Sequence, residues 1–386
     1  DTVEIAQRIG RETGGIESET FSSAVRDEKG TQAFLFLRAK AMGDQSPEML
    51  AILRDLLLEP RLDNREHFLR IVLEEKTRKE SEIIPAGHRV VDSRLRAGFD
   101  EAGFVEEKLS GIDYLLFLRR LTRQIETDWP SVLSALEQTH ASLLNRQTCI
   151  CNLTQDQNTL VGFQPKLISF LQALPSHKPE TIEWTVDVLS ADEGLAIPAQ
   201  VNYVGKGAQL YDLGYHLDGS IHVILGYLRL TYLWDKVRVL GGAYGAFSGF
   251  DPLSGGLTFL SYRDPNLTET LEVYDTTSAY LRQLELSDRE LTKSIISAIG
   301  RSEPYRLPDA QGFTSMARHL TGVTDEYRQT IRDQILSTTS SDFHAFESIL
   351  AELANQGRVI ILGSKERLEE ANRTLSGNGL EIRTLL

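Results

Sequence analysis

The stretch R-V-L-G-G-A-Y-G, Arg238 to Gly245, has a counterpart near the start of the chain in R-E-T-G-G-I-E-S, Arg11 to Ser18. Arginine and glycine pair align without a gap, Arg11 with Arg238 and Gly14-Gly15 with Gly241-Gly242. Working outward, F-L-F-L-R-A-K-A-M-G-D (Phe34–Asp44) matches L-T-F-L-S-Y-R-D-P-N (Leu257–Asn266), with Arg38 opposite Arg263, and a helical pattern follows each. Each copy next shows a capping-box helix start, Asp63 with Glu66 and Ser287 with Glu290. Each then closes with a long helical run and a short apolar run read as a buried strand, T-C-I-C (Thr148–Cys151) and R-V-I-I-L-G (Arg358–Gly363). Internal similarity of this kind marks a repeated structural unit. Strands, helices and a closing strand in each unit predict an α+β fold of two tandem similar domains, each a largely antiparallel sheet covered by helices on one face. The domains are read as residues 1–175 and 180–386, separated by the proline-containing polar stretch Ala173–Glu180.

The copies differ at their beginnings. Residues 180–240 precede the second glycine pair and include a strand run, I-P-A-Q-V-N-Y-V-G-K-G, and the helix Ile221–Arg238; only residues 1–13 precede the first pair. The first domain is therefore expected to lack its opening strands. A sheet without them exposes unpaired backbone groups and apolar surface, so another polypeptide, the N-terminal part of the same gene product, is expected to supply them. An atypically short first repeat is the other reading.

Bulk properties narrow the function. The 386 residues are 41% apolar and 25% charged with a formal net charge of −14, a balance that fits a packed acidic protein and argues against nucleic acid as the main partner. No apolar run is long enough to span a bilayer. The two cysteines, Cys149 and Cys151, lie two apart and on a strand would share a face, poorly placed to bond each other. Buried thiols in a reducing compartment, cytoplasm or organelle matrix, are the expectation.

The second copy carries the chemistry. Ile221, Ile224, Leu225, Leu228 and Tyr232 fall at helical spacing and predict a core-facing helix that stops at Gly241-Gly242. Arg238 then lies in the last helical turn and Tyr244 opens the following strand, so the two side chains can converge across the turn. A cation and a phenol near one point suit a peptide carbonyl and the oxyanion that forms when water attacks it. Alternatively, Arg238 complements the helix C-terminus and Tyr244 fills a half-buried strand position.

The combination of R-V-L-G-G-A-Y-G with S-Y-R-D-P-N after it and Q-V-N-Y-V-G-K-G before it resembles the C-terminal half of the presequence protease branch of the pitrilysin and insulinase metallopeptidases. The first repeat, through T-G-G-I, F-L-R-A-K-A, L-E-E-K-T-R-K-E-S and S-G-I-D-Y-L, is similar to that branch's third domain. The resemblance implies a clamshell enzyme that closes around unfolded peptides, with zinc on an H-x-x-E-H motif of the N-terminal half. It also implies that Arg238 and Tyr244 serve catalysis from the C-terminal half; Gly241, Gly242, Ala243 and Arg263 are assigned to substrate contact. None of the eight histidines belongs to an H-x-x-E-H or H-E-x-x-H sequence, so no metal site is expected in this chain and the zinc is expected on its partner. A non-catalytic peptide-binding or assembly subunit of the same superfamily is the competing reading.

Other positions are assigned to structure. Glu17 stands where the second copy has Tyr244, so Arg11 lacks a phenol. Gly205–Gly207 is too short for a phosphate loop, His216 and His222 are read as packing or capping residues, and Leu73–Ser81 as a solvated helical face with ion-pair spacing. Arg263 and Asp264 either line a peptide channel or bond each other and the turn at Pro265.

Overall fold

The computed structural model describes residues 2–28, 30–179, 186, 191–375 and 379–386. The first copy runs α1 (Thr2–Glu12), β1 (Ile16–Ala24), β2 (Thr31–Ala39), α2 (Ser46–Leu58), α3 (Arg65–Ile83), α4 (Gly87–Arg96), α5 (Glu101–Ser110), α6 (Ile112–Thr127), α7 (Trp129–Leu143) and α8 (Gln157–Ala173). The second opens with β3 (Glu193–Ala196), β4 (Tyr203–Gln209), α9 (Ser220–Leu230), a π-helical segment Trp234–Leu240, β5 (Gly245–Phe250) and β6 (Gly256–Tyr262). Six helices follow, α10 (Thr268–Asp275), α11 (Thr277–Arg282), α12 (Asp288–Ser302), α13 (Pro308–Leu320), α14 (Asp325–Leu336) and α15 (Ser340–Gln356), then β7 (Arg358–Gly363), α16 (Lys365–Ala371) and β8 (Glu381–Thr384). Glu180, the end of the linker read from the sequence, lies outside the described residues; its start, Ala173, is the last residue of α8.

The architecture is α+β, and strand register carries the repeat into three dimensions. Ser18 faces Leu37 across β1–β2, and the aligned residues Gly245 and Tyr262 face each other across β5–β6. The six-stranded sheet has the order β5-β6-β4-β7-β3-β8, antiparallel from β5 to β7 and parallel among β7, β3 and β8. In the first copy only the β1–β2 hairpin forms among the described residues.

One expectation is corrected here. Thr148–Cys151 is not a strand, and both cysteines are exposed, unpaired thiols rather than buried ones. The equivalent strand β7 is held between β3 and β4, which have no counterparts among the described residues of the first copy, and an isolated apolar run gains no ladder bonds by extending. The second copy's own helices cover one face of the large sheet, as expected, and helices of the first copy cover the other. Val204, Leu257, Phe259, Val359 and Ile361 pack against α9 and α15 of their own copy, while Tyr203, Leu260, Ile360 and Leu362 pack against Val91 and Leu95 of α4 and Ile112 and Leu115 of α6. The continuous apolar run of β7 is the sequence signature of such two-sided burial.

Close approach of α4 to the sheet depends on glycine. A Cβ at Gly205 of β4 would lie 2.3 Å from Val91 Cγ1 and 2.9 Å from Leu95 Cδ1. Gly205→Val is expected to cost about 2–3 kcal/mol by overpacking this contact. Urea melts would show it as a lower midpoint; an unchanged midpoint would mean that α4 can retreat freely.

A buried ion network fastens the same contact. Arg94 of α4 donates from Nε (3.0 Å) and Nη2 (3.1 Å) to the two carboxylate oxygens of Glu193 in β3, and from Nη1 to Glu107 and Asp113, each at 3.3 Å. Arg358 of β7 donates to Glu193 at 2.9 Å and to the Arg94 carbonyl. Elsewhere the Ser287–Glu290 capping box forms as read, whereas α3 is capped one residue later than expected, by Asn64, whose side chain accepts from the His67 amide. Arg78 bridges Glu75 and Glu82 on the exposed face of α3. Lys206 of the G-K-G run pairs with Asp275 at 2.5 Å and donates to the Ala354 carbonyl, a structural fastening.

Candidate active site

Helix α9 and the residues after it bury the predicted face, with Ile221, Ile224, Leu225, Leu228 and Tyr232 all in the core. The helix ends at Leu230, earlier than the sequence pattern suggests, and the chain resumes as the π-helical segment. Wider winding shows in the bonds: the Gly241 amide donates to Lys236 O, five residues back, and the Ala243 amide reaches Val237 O, six back. Gly242 then takes φ +82°, a left-handed conformation that L side chains rarely adopt, and Asn266 Nδ2 holds the Gly241 carbonyl at 2.5 Å. Ala243 is buried, and the Tyr244 amide donates to Tyr262 O, starting the strand. The glycine pair thus turns the chain as its sequence implies.

This turn brings Arg238 and Tyr244 together. The Arg238 guanidinium carbon lies 5.7 Å from the centre of the Tyr244 ring and 4.1 Å from that of Trp234. Among the described residues no carboxylate pairs with Arg238, and its guanidinium lies over the two rings. Tyr244 is 67% exposed and rests edge-on against Tyr262. Tyr262 also meets His88 of α4 edge-on, at 4.9 Å between ring centres, so the first copy buttresses the aromatic base of the site. Burial lowers the His88 pKa, with the charge of Arg89 adding to the effect and Asp92 opposing it.

Arg263 is exposed, over the Tyr262 ring at 5.4 Å, and its φ of +49° is unusual for a residue with a side chain. Its backbone carbonyl accepts a long 3.4 Å bond from the Tyr244 amide, so both arginines flank the same tyrosine pair. Asp264 does not share in this. Fully buried, it accepts from the Asn266 amide (2.9 Å) and Thr270 Oγ1 (2.8 Å), and among the described residues it forms no ion pair with Arg263. Asp264 therefore serves the turn without bonding Arg263, and Arg263 lies against Tyr262 and Tyr203 with no carboxylate partner among the described residues. The corresponding positions of the first copy are spent: Arg11 pairs with Glu12 at 2.5 Å, and Arg38 pairs with Glu19 at 3.3 Å while stacking on Phe313.

Among the described residues no group of three or more histidine, cysteine, aspartate or glutamate side chains is placed to hold a metal ion. His222 packs edge-on against Phe250, and His216 is exposed. The described residues do not assemble a ligand set for a catalytic zinc. Trp234, Tyr262 and His88 were not singled out by sequence reasoning. Trp234 had a usable signal, four residues before Arg238 on the same helical pattern, whereas the contact of His88 crosses between copies and left none.

Comparison with known proteins gives the fold a class. The chain superposes on pitrilysin with a TM-score of 0.60 at 12% identity, covering 98% of this chain and 40% of that one. It superposes on a peptidase M16 inactive domain from Pseudomonas fluorescens with a TM-score of 0.57 at 13% identity, covering 95% and 84%. The fold is that of the pitrilysin-like M16 peptidases.

Sequence narrows the class to one branch. Residues 192–365 match the family described as PreP C-terminal domain, and residues 1–121 the associated family of peptidase M16, subfamily C. Presequence protease 1, chloroplastic/mitochondrial, of Arabidopsis thaliana is 38% identical over 385 residues, covering 100% of this chain and 36% of that protein. These matches make the chain similar to the C-terminal part of the presequence protease-like M16 proteins, and it spans about a third of the length of the curated relatives it matches. Among the described residues no helix is long and apolar enough to cross a membrane.

Proposed function

We propose that this chain is the C-terminal half of a zinc metalloendopeptidase that degrades short unfolded peptides, and that it supplies Arg238 and Tyr244 to an active site whose zinc sits on the N-terminal half. The observation that carries the reading is a guanidinium held by aromatic rings, unpaired with any carboxylate among the described residues, beside an exposed phenol. Arg238 donates to the peptide carbonyl next to the bond that breaks, and the Tyr244 hydroxyl donates to the oxyanion that develops there. Arg263, with the backbone at Gly241, Gly242 and Ala243, borders the groove in which the peptide lies. Zinc supplies Lewis-acid chemistry from the other half, and none of its ligands is assigned to this chain.

The partner is the zinc-bearing half, and Leu35 and Leu37, exposed on the β1–β2 hairpin, belong to the surface it covers. The compartment we assign is cytoplasm or an organelle matrix, in keeping with two exposed unpaired cysteines. Co-expression with the zinc-bearing half should yield a 1:1 complex that cleaves a short unstructured peptide, whereas this chain alone should leave the peptide intact. Cleavage by the purified chain alone, abolished by a chelator, would overturn the assignment. A non-catalytic assembly subunit has one observation in its favour, the likeness of the fold to a domain described as inactive; a stable complex without peptidase activity would support it.

A further inference from the structure

We propose that Trp234 is a positioning residue for Arg238, stacking on the guanidinium so that its plane is fixed while its N–H edges stay open to an incoming acceptor. The inference rests on the role proposed above for Arg238. Three observations carry it. The indole is the nearer of the two rings, 4.1 Å from the guanidinium carbon against 5.7 Å for Tyr244, so most of the face contact comes from Trp234. Trp234 remains 46% exposed, so filling the core does not account for a side chain of its size there. It also lies within the π-helical segment, a rare winding found frequently at functional sites.

Stacking suits the task better than an ion pair would. A carboxylate partner would occupy the guanidinium donors and cancel its field, as Glu19 does for Arg38 in the first copy. An aromatic face leaves both available and removes rotamer freedom before the substrate arrives, which lowers the entropy lost at binding.

The test has a readout independent of activity. In a heteronuclear spectrum of this chain labelled with 15N-arginine, the Arg238 Nε–Hε signal, assigned by its loss in Arg238→Gln, should lie upfield from the indole ring current. It should move to the free-arginine position in Trp234→Leu and stay shifted in Trp234→Phe. An unshifted signal in the parent chain, or an upfield shift that survives Trp234→Leu, overturns the proposal. In the two-half complex, Trp234→Leu should lower kcat/KM about tenfold, the equivalent of ~1.4 kcal/mol of cation–π contact, with Trp234→Phe restoring most of it. Adding Trp234→Leu to Arg238→Gln should cost nothing more; a further tenfold loss would place Trp234 in some other role and overturn the proposal. If Arg238→Gln leaves turnover unchanged, the catalytic reading of Arg238 fails, while the stacking stands or falls on the spectrum alone.

Discussion

Replacing Tyr244 by phenylalanine in the two-half complex is expected to lower kcat about a hundredfold, and Arg238→Gln by about a hundred- to a thousandfold, the range for loss of one donor to a developing oxyanion. The fold should survive both changes. Tyr244 is two-thirds exposed, its edge contact with Tyr262 needs only the ring, and phenylalanine keeps the ring while removing the hydroxyl. Arg238 is only half-buried and carries no ion pair among the described residues, so its loss leaves no buried charge stranded. The measurement is steady-state turnover of a short unstructured peptide, with KM followed separately. Loss confined to kcat fits donors engaged in the transition state, and a rise in KM alone would reduce both residues to substrate holders. The double variant should lose less than the product of the two single losses, because residues acting on one charge are not independent. Unchanged kcat in both single variants would remove the catalytic assignment altogether.

The second large effect concerns stability. Arg94→Met should destabilise the chain by about 3–5 kcal/mol, the usual cost of removing one partner from a buried ion pair. Arg94 and Glu193 are both nearly inaccessible, and Arg94 is also the cation facing Glu107, whose carboxyl already lies above the usual carboxylate range because burial outweighs the charge of Arg94 and the Ser93 hydrogen bond. A carboxyl whose folded pKa exceeds its unfolded value contributes stability below the unfolded pKa and loses it as pH rises through the folded one. Without Arg94 the Glu107 shift grows, so the deficit of the variant should be largest at neutral pH and shrink on acidification toward the ordinary glutamate range. Urea titrations at about pH 7.5 and about pH 5 would show this. A deficit equal at both values would mean that Glu107 does not respond to Arg94, and no deficit would mean that the network does not hold the two copies together.

Much of the site was legible because it is local. Arg238, the glycine pair and Tyr244 lie within seven consecutive positions, and glycine at a helix stop dictates a turn whatever surrounds it. The core face of α9 was equally readable, since periodicity reports burial directly. The π-helical winding was not, because it adds no residue type of its own. Asp63 was read in place of Asn64 at the start of α3 because either side chain can cap, and only the path of the chain selects one. The Thr148–Cys151 run misled for a related reason. Its apolar residues match those of β7, but a strand exists only by virtue of neighbours on which the run itself is silent.

Sequence alone determined the repeat, the α+β class, the turn joining Arg238 to Tyr244, and the absence of an H-x-x-E-H motif, because each is written in nearest-neighbour spacing or in direct self-comparison. Tertiary structure decided the rest. It put α4 of one copy on the sheet of the other, joined Arg94, Glu193 and Arg358 in one buried network, set Trp234 and Tyr262 against the two arginines, and left Arg238 and Arg263 without carboxylate partners among the described residues where Arg11 and Arg38 have them. The physical reason is range. Backbone preference and hydrophobic period act within one element, whereas the pairing of a charge depends on what a distant segment brings within about 4 Å of it, and that distance belongs to the folded chain alone.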